Sequence, residues 1–174
     1  MTAAHRAGDQ RLVAETPEAP WLPPGSTAEV WAGADCDTPD PSIIVRLLIT
    51  RLGDETEFFC VPTPKGPDLP TRFLGPGAER SSADDGLRHL QQETVDDAES
   101  STRCVGFVRN VVPHPDGDYP HPTPDAYVPV FAAERAHPVV PGEWFTLDSA
   151  PTALHGRHWW PIVRRYLEAA GAGH

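Results

Sequence analysis

The most continuous apolar run in the chain, Ser42–Arg51 (SIIVRLLITR), is β-branched and almost unbroken, which predicts a central strand buried on both faces of a sheet. Gly53-Asp54 supplies a turn, and Thr56–Val61 the antiparallel partner of a hairpin. Ala83, Leu87, Leu90 and Thr94 then recur at helical spacing, so 83–94 predicts a helix. Ser81 or Ser82 would cap it, with Asp84 and Asp85 at its positive end. Residues 104–112, 127–133 and 144–147 read as further strands, and 158–170 as a closing helix with Trp159, Ile162, Val163, Tyr166 and Leu167 along one face. Ahead of these elements, residues 1–20 are polar and small and are expected to fray. Trp21-Leu22-Pro23-Pro24 would anchor an N-terminal segment, and a short helix is predicted over 27–32, capped by Ser26 or Thr27. Residues 62–76 and 113–124 are proline-rich loops, and no internal repeat occurs. The expected organisation is a partly flexible N-terminal extension at 1–41, one domain at 42–170 and a loose tail at 171–174.

A chain of 174 residues suits one domain with a sizeable core. Its 21 prolines hold the hydrophobic fraction to 39% and predict long irregular connections, since proline breaks helix interiors and central strands. One of the 14 basic residues is a lysine, the usage of a GC-rich, bacterial coding genome. The net charge of −11 is spread along the chain, so no basic stripe exists for a phosphate backbone and nucleic acid is an unexpected partner. Cys36, Cys60 and Cys104 are odd in number and widely spaced, which argues for a reducing compartment and against a disulfide scaffold or a zinc site. With no signal-like start and no apolar run of membrane-spanning length, the expected location is the cytoplasm, with no membrane partner.

The chemistry concentrates in Leu69–Asp97, LPTRFLGPGAERSSADDGLRHLQQETVDD. Its helical part resembles the signature of the Nudix hydrolases, G-x5-E-x7-R-E-U-x-E-E-x-G-U with U aliphatic. Arg88, Leu90 and Glu93 match it, whereas His89 and Gln92 stand at two glutamate positions and Val95 at the glycine. Glu79 stands near the first glutamate, but Arg72 occupies the expected glycine and the spacing from Glu79 to Arg88 is one residue too long. Gly142–Asp148 (GEWFTLD) is similar to a strand and turn late in many Nudix domains, and His158-Trp159-Trp160-Pro161 to the start of the terminal helix in some members. The likeness covers residues 42–168 and implies an α/β fold: a Nudix-like α/β/α sandwich around a mixed β-sheet.

The resemblance implies metal-dependent hydrolysis of a phosphoanhydride. Carboxylates at i, i+3 and i+4 share a helix face and hold Mg or Mn, which polarise phosphorus. Here that face carries His89, Gln92 and Glu93, so metal binding is expected to be weakened, with Glu93, His89 and Glu79 the candidate ligands and Glu93, His89 and Arg88 the candidate catalytic set. Arg88 would orient the carboxylates by pairing with Glu79 or Glu93. The competing view is an exposed polar helix face. A second concentration, His114–Asp125, holds histidines, aspartates and Tyr119 on a proline-stiffened backbone. It is either a braced surface loop or a pocket wall, with Tyr119 and His121 the candidate contacts. Arg46, Arg51, Arg72 and Arg109 could offset a substrate phosphate, Arg46 and Arg72 being the strongest candidates; Arg46 is notable because a charge inside an apolar strand must reach a pocket, an edge or a partner. Two functions stay open. One is a Nudix-family hydrolase, or close derivative, with weakened activity on a small phosphorylated or nucleotide-like molecule. The other is a non-hydrolytic Nudix domain serving ligand binding, regulation or metal-independent acid–base chemistry in a biosynthetic pathway. The partner is in either case a small-molecule ligand, and a homodimer is possible.

Overall fold

The computed structural model of the chain describes residues 9–172. The fraying expected at 1–8 and the looseness expected at 173–174 lie outside the described residues. Eight strands form one mixed sheet: β1 (Arg11–Pro17), β2 (Thr27–Cys36), β3 (Ile44–Leu52), β4 (Thr56–Cys60), β5 (Thr71–Phe73), β6 (Arg103–Val111), β7 (Asp125–Ala133) and β8 (Glu143–Phe145). Their order is β1-β2-β6-β7-β3-β4-β8, with β5 paired to β3. Only the β3–β7 pairing is parallel among the named strand pairs.

Two helices cover the two faces. α1 (Ala83–Thr94) lies over β3 and β5, and α2 (Trp160–Ala172) over β2, β4 and β6. The alternation of β3 divides the core between them. Val45, Leu47 and Ile49 join Leu87 and Leu90 of α1 in one buried cluster. Leu48 joins Phe58, Trp159, Ile162, Val163 and Leu167 in the other. Each such side chain, fully buried, contributes about 1.5–3 kcal/mol of transfer free energy. Glycine allows close packing at both helices, on β6 under α2 and within α1 itself. A Cβ on Gly106 would meet Trp31 O at 2.5 Å and Ile162 Cγ2 at 2.8 Å, and one on Gly86 would meet Leu74 Cδ2 at 2.1 Å.

The N-terminal region departs from expectation. Residues 27–32 form no helix but the start of β2, paired antiparallel with β6 from Thr27↔Val111 to Ala32↔Gly106. Ala28, Val30 and Ala32 are buried, a period of two that sheet pairing exploits despite the helix propensity of alanine and glutamate. Residues 11–17, expected to fray, add β1 to β2. β1 and β2, at 11–17 and 27–36, thus belong to the sheet. The helix at 83–94 has the predicted bounds, and Ser82 Oγ accepts from Asp85 N at 3.1 Å. α2 begins at Trp160, two residues later than expected, after a short 3-10 helix at Thr152–Gly156, and runs to Ala172, inside the expected tail. β5 was not anticipated within the proline-rich loop. Among the described residues no helix is long and apolar enough to cross a membrane.

Candidate functional site

α1 turns Leu87 and Leu90 inward, which leaves Arg88, His89, Gln92 and Glu93 exposed along its outer side. Gln91 is buried and donates from Nε2 to Ser100 O at 3.0 Å, tying the helix end to the following loop. Glu93 accepts from Arg72 Nη1 at 2.9 Å. That pair replaces the expected bridge from Arg88. Arg72 can reach Glu93 because it lies opposite Val45 in the β3–β5 register, on the α1 face. Glu79 sits exposed in a single helical turn before α1. Among the described residues no three His, Cys, Asp or Glu side chains gather closely enough to hold a metal ion, Glu79, His89 and Glu93 included. One carboxylate already committed to a guanidinium, beside an imidazole and an amide, does not fit the oxygen-rich octahedral shell that Mg²⁺ requires.

The other face of the same strand carries different chemistry. In the register, Arg46 lies opposite Thr71, so its side chain points to the α2 side, away from Arg72. There it lines a cavity of about 360 Å³ with Ile44, Asn110, Tyr119, His121 and His158; Trp21 and Leu22 help to close it. No residue of α1 lines this cavity. Tyr119 and His121 therefore share a cavity with Arg46, but not with Glu93, His89 or Arg88.

Arg46 is held rather than free. Its Nη1 donates to Asp68 Oδ1 at 3.2 Å and to Thr71 Oγ1 at 2.8 Å. The same Asp68 oxygen accepts from Trp159 Nε1 at 2.8 Å, and Asp68 Oδ2 lies 3.5 Å from Arg157 Nη1. Arg157 is in turn fixed by the carbonyl of Pro67, 3.0 Å from Nη2. Two guanidinium groups thus share one carboxylate, leaving local positive charge in a chain whose net charge is −11. Burial depresses the pKa of Arg46, and Asp68 opposes that shift. Burial, followed by Arg46 and Arg157, also holds His158 below its ordinary value. Its ring stacks on Trp21, with centroids 4.3 Å apart and planes 24° apart.

On the opposite wall, Tyr119 and His121 meet edge to face at 5.4 Å. Burial raises the Tyr119 phenol, while burial and then Arg80 lower His121. Tyr119 Oη and Asn110 Oδ1 are both buried and have no hydrogen-bond partner within the protein. Leaving such groups unpaired costs about 1–3 kcal/mol each. Both belong to cavity-lining residues. Arg51 and Arg109 take no part here. Arg51 pairs with Glu57 and covers Trp144, and Arg109 bridges Glu29 and Asp125.

Sequence reasoning missed Asp68, Asn110, Arg157 and His158. The usable signal was Arg46 itself: a charge interrupting an apolar strand demands a counter-charge, although nothing in the sequence singles out Asp68 from the other acids. Nothing local marks Arg157, which reaches Asp68 from ninety residues away in the chain, about the separation of Trp159 from the same acid.

Comparison with known proteins bears on the fold. No family model matches the chain, and no curated protein matches it. Among solved structures it is similar to a pyrophosphohydrolase from Bacillus subtilis, with 13% identity and a TM-score of 0.52 over 91% of this chain and 98% of that one. It also matches an Ap4A hydrolase from C. elegans, with 13% identity and a TM-score of 0.49 over 75% of this chain and 98% of that one. The mixed sheet, the helix on either face and the near-complete span of the Bacillus structure together establish that this chain has the Nudix-like α/β/α fold.

Proposed function

We propose that this chain is a Nudix-fold protein that binds a small, ring-bearing anion in the α2-face cavity, and that its Nudix box is degenerate, with metal-dependent phosphoanhydride hydrolysis at α1 weak. The observation that carries the reading is that Arg46, interrupting a core strand, lines a cavity of about 360 Å³ on the α2 face together with Asn110, Tyr119, His121 and His158. The surplus positive charge of Arg46 and Arg157 over Asp68 favours a negative group. The rings of Tyr119, His121 and Trp21 suit a planar moiety. His121 and His158, both held toward the neutral form, are placed to accept a proton from such a ligand, which is the acid–base variant of the same reading.

The second reading is hydrolysis of a phosphoanhydride, the activity named for the Bacillus neighbour, and the likeness to that protein over nearly its whole length is what favours it. It would require donors beyond Glu93.

Calorimetric titration of nucleoside monophosphates, aryl phosphates and aromatic carboxylates, in EDTA, tests the first reading. At least one class should bind, and Arg46→Met should weaken that binding tenfold or more while Glu93→Gln leaves it unchanged. Phosphate release from nucleoside diphosphates with Mg²⁺ or Mn²⁺, measured in parallel, should be slow. Rapid release abolished by Glu93→Gln, with no binding in EDTA, would establish the second reading instead.

A further inference from the structure

Cys36 ends β2 and Cys104 begins the part of β6 that pairs with β2. The antiparallel register sets these two residues directly opposite one another. Both side chains are buried, at 6% and 3% exposure, and both belong to the same core cluster on the α1 face. Directly opposed residues in antiparallel strands have Cα atoms about 4.5–5.5 Å apart, inside the roughly 4.4–6.8 Å range of disulfide-bridged pairs. The ladder is irregular beside each cysteine, between Ala32 and Cys36 on β2 and between Cys104 and Gly106 on β6. Broken pairing of this kind lets the backbone adjust as two sulfurs draw together.

The two thiols also interact. Proximity to the other thiol raises Cys36 and lowers Cys104; burial, Asp9 and Asp35 push Cys36 further up. Cys104 Sγ lies 3.4 Å from Gly106 O. The two shifts make the pair asymmetric, with Cys104 the more acidic thiol of the two. Cys60 offers a contrast: it is buried in the other cluster, has no cysteine partner opposite it and is pushed up to about 12 by burial.

We propose that Cys36 and Cys104 are an oxidative modification site, closing to a cross-strand disulfide when the chain meets a small hydroperoxide. In the first step Cys104 sulfur attacks one peroxide oxygen. The O–O bond breaks, Cys104 becomes a sulfenic acid, and the other oxygen leaves as water or an alcohol after taking a proton. In the second step Cys36 sulfur attacks the sulfenic sulfur. The S–O bond breaks, its oxygen leaves as water with the Cys36 proton, and the S–S bond joins β2 to β6. Two thiols are oxidised, one hydroperoxide is reduced, and no further reagent is needed. The bridge would fasten the N-terminal strands, which carry Trp21 on the connection between them, to the middle of the sheet.

The test treats the reduced, folded chain with hydrogen peroxide, quenches it, denatures it in alkylating reagent and maps the peptides by mass spectrometry. The expected product is a Cys36–Cys104 linked peptide lacking two hydrogens, with Cys60 still alkylated, so that three free thiols become one. The oxidised protein should also melt higher than the reduced one, and dithiothreitol should reverse both changes. Cys104→Ser should abolish the linkage, and Cys36→Ser should leave Cys104 as a sulfenic acid trapped by dimedone. Retention of three thiols by the wild-type chain overturns the proposal. So does oxidation of Cys60 at the same rate, which would mean that the cysteines react only when the chain opens. The wild-type measurement decides the matter even if neither variant folds.

Discussion

Replacing Asp68 by Asn removes one negative charge that two guanidinium groups share, and it does so beneath the cavity. Arg46 and Asp68 side chains are 18% and 16% exposed, and Arg157 is 21% exposed, so solvent screens them only in part. Asparagine can keep an oxygen for Trp159 Nε1 and for Leu69 N, which donates to Asp68 Oδ1 at 2.8 Å. What disappears is the charge opposite Arg46 and Arg157. Breaking a fully buried ion pair costs about 3–5 kcal/mol; with the retained hydrogen bonds and the residual exposure, roughly 2–3 kcal/mol is expected. For a domain of this size each kcal/mol moves the melting temperature by about 2–4 °C, so Asp68→Asn should melt about 4–12 °C lower than wild type. Scanning calorimetry at neutral pH measures this directly. A fall of less than about 1 °C would refute the reasoning, because it would mean that water already satisfies both guanidinium groups. Ligand affinity reads the second consequence. Arg46 and Arg157, no longer partly neutralised by Asp68, should bind the proposed anion more tightly at temperatures where the variant is fully folded.

Three further outcomes follow from particular contacts. Gly86→Ala, normally favourable in a helix by about 1 kcal/mol, should here destabilise by roughly 1–3 kcal/mol, since its Cβ would fall 2.1 Å from Leu74 Cδ2; urea denaturation decides the sign. Glu93→Gln should change stability by less than about 1 kcal/mol in the same assay, because its pair with Arg72 is exposed. His158 has a folded pKa below its usual 6.5, so the unfolded chain takes up a proton first as pH falls. Its contribution to stability is complete above that value and is lost below it, so the melting temperature should drop on acidification, and His158→Asn should flatten that drop.

The legible parts of this fold were those whose signal is local. The apolar run of β3 and the i, i+4, i+7 spacing of α1 need no knowledge of partners, and α1 has its predicted bounds. β2 was misread because Ala28, Glu29 and Ala32 are good helix formers, and only pairing with β6 decides between helix and strand. β5 is three residues long and follows Pro70, so it carries no period of its own. The site divides in the same way. Arg46, Tyr119 and His121 stood out by residue type, and the structure gathers them in one cavity. Asp68 lies between Pro67 and Leu69 and reads as an ordinary turn acid until long-range contacts bring Arg46, Arg157 and Trp159 to it. The box residues were placed on one helix face correctly, yet a helix face is only half of a site. Which strand face lies beside it depends on register, and register puts Arg72 with Glu93 and Arg46 on the far side.

That separation makes the helix face testable by itself. If weak metal binding at α1 results from the missing carboxylates, restoring them should restore it. His89, Gln92 and Glu93 share the exposed side of α1, so His89→Glu with Gln92→Glu sets three carboxylates at i, i+3 and i+4. Without metal the double variant should be slightly less stable than wild type, since like charges at i, i+4 repel by a few tenths of a kcal/mol. Mn²⁺ should reverse that loss, and the gain in melting temperature with rising Mn²⁺ gives the affinity by mass action. Arg72 will compete for Glu93, so adding Arg72→Met should tighten binding further. Ligand binding in the α2-face cavity should remain as in the wild type, because no α1 side chain lines it. A double variant that Mn²⁺ does not stabilise, with or without Arg72, would show that the loop geometry around Glu79 and the extra residue before Arg88, rather than the identities at 89 and 92, had already removed the metal site. The chemistry of the chain would then rest on the other face of β3 alone.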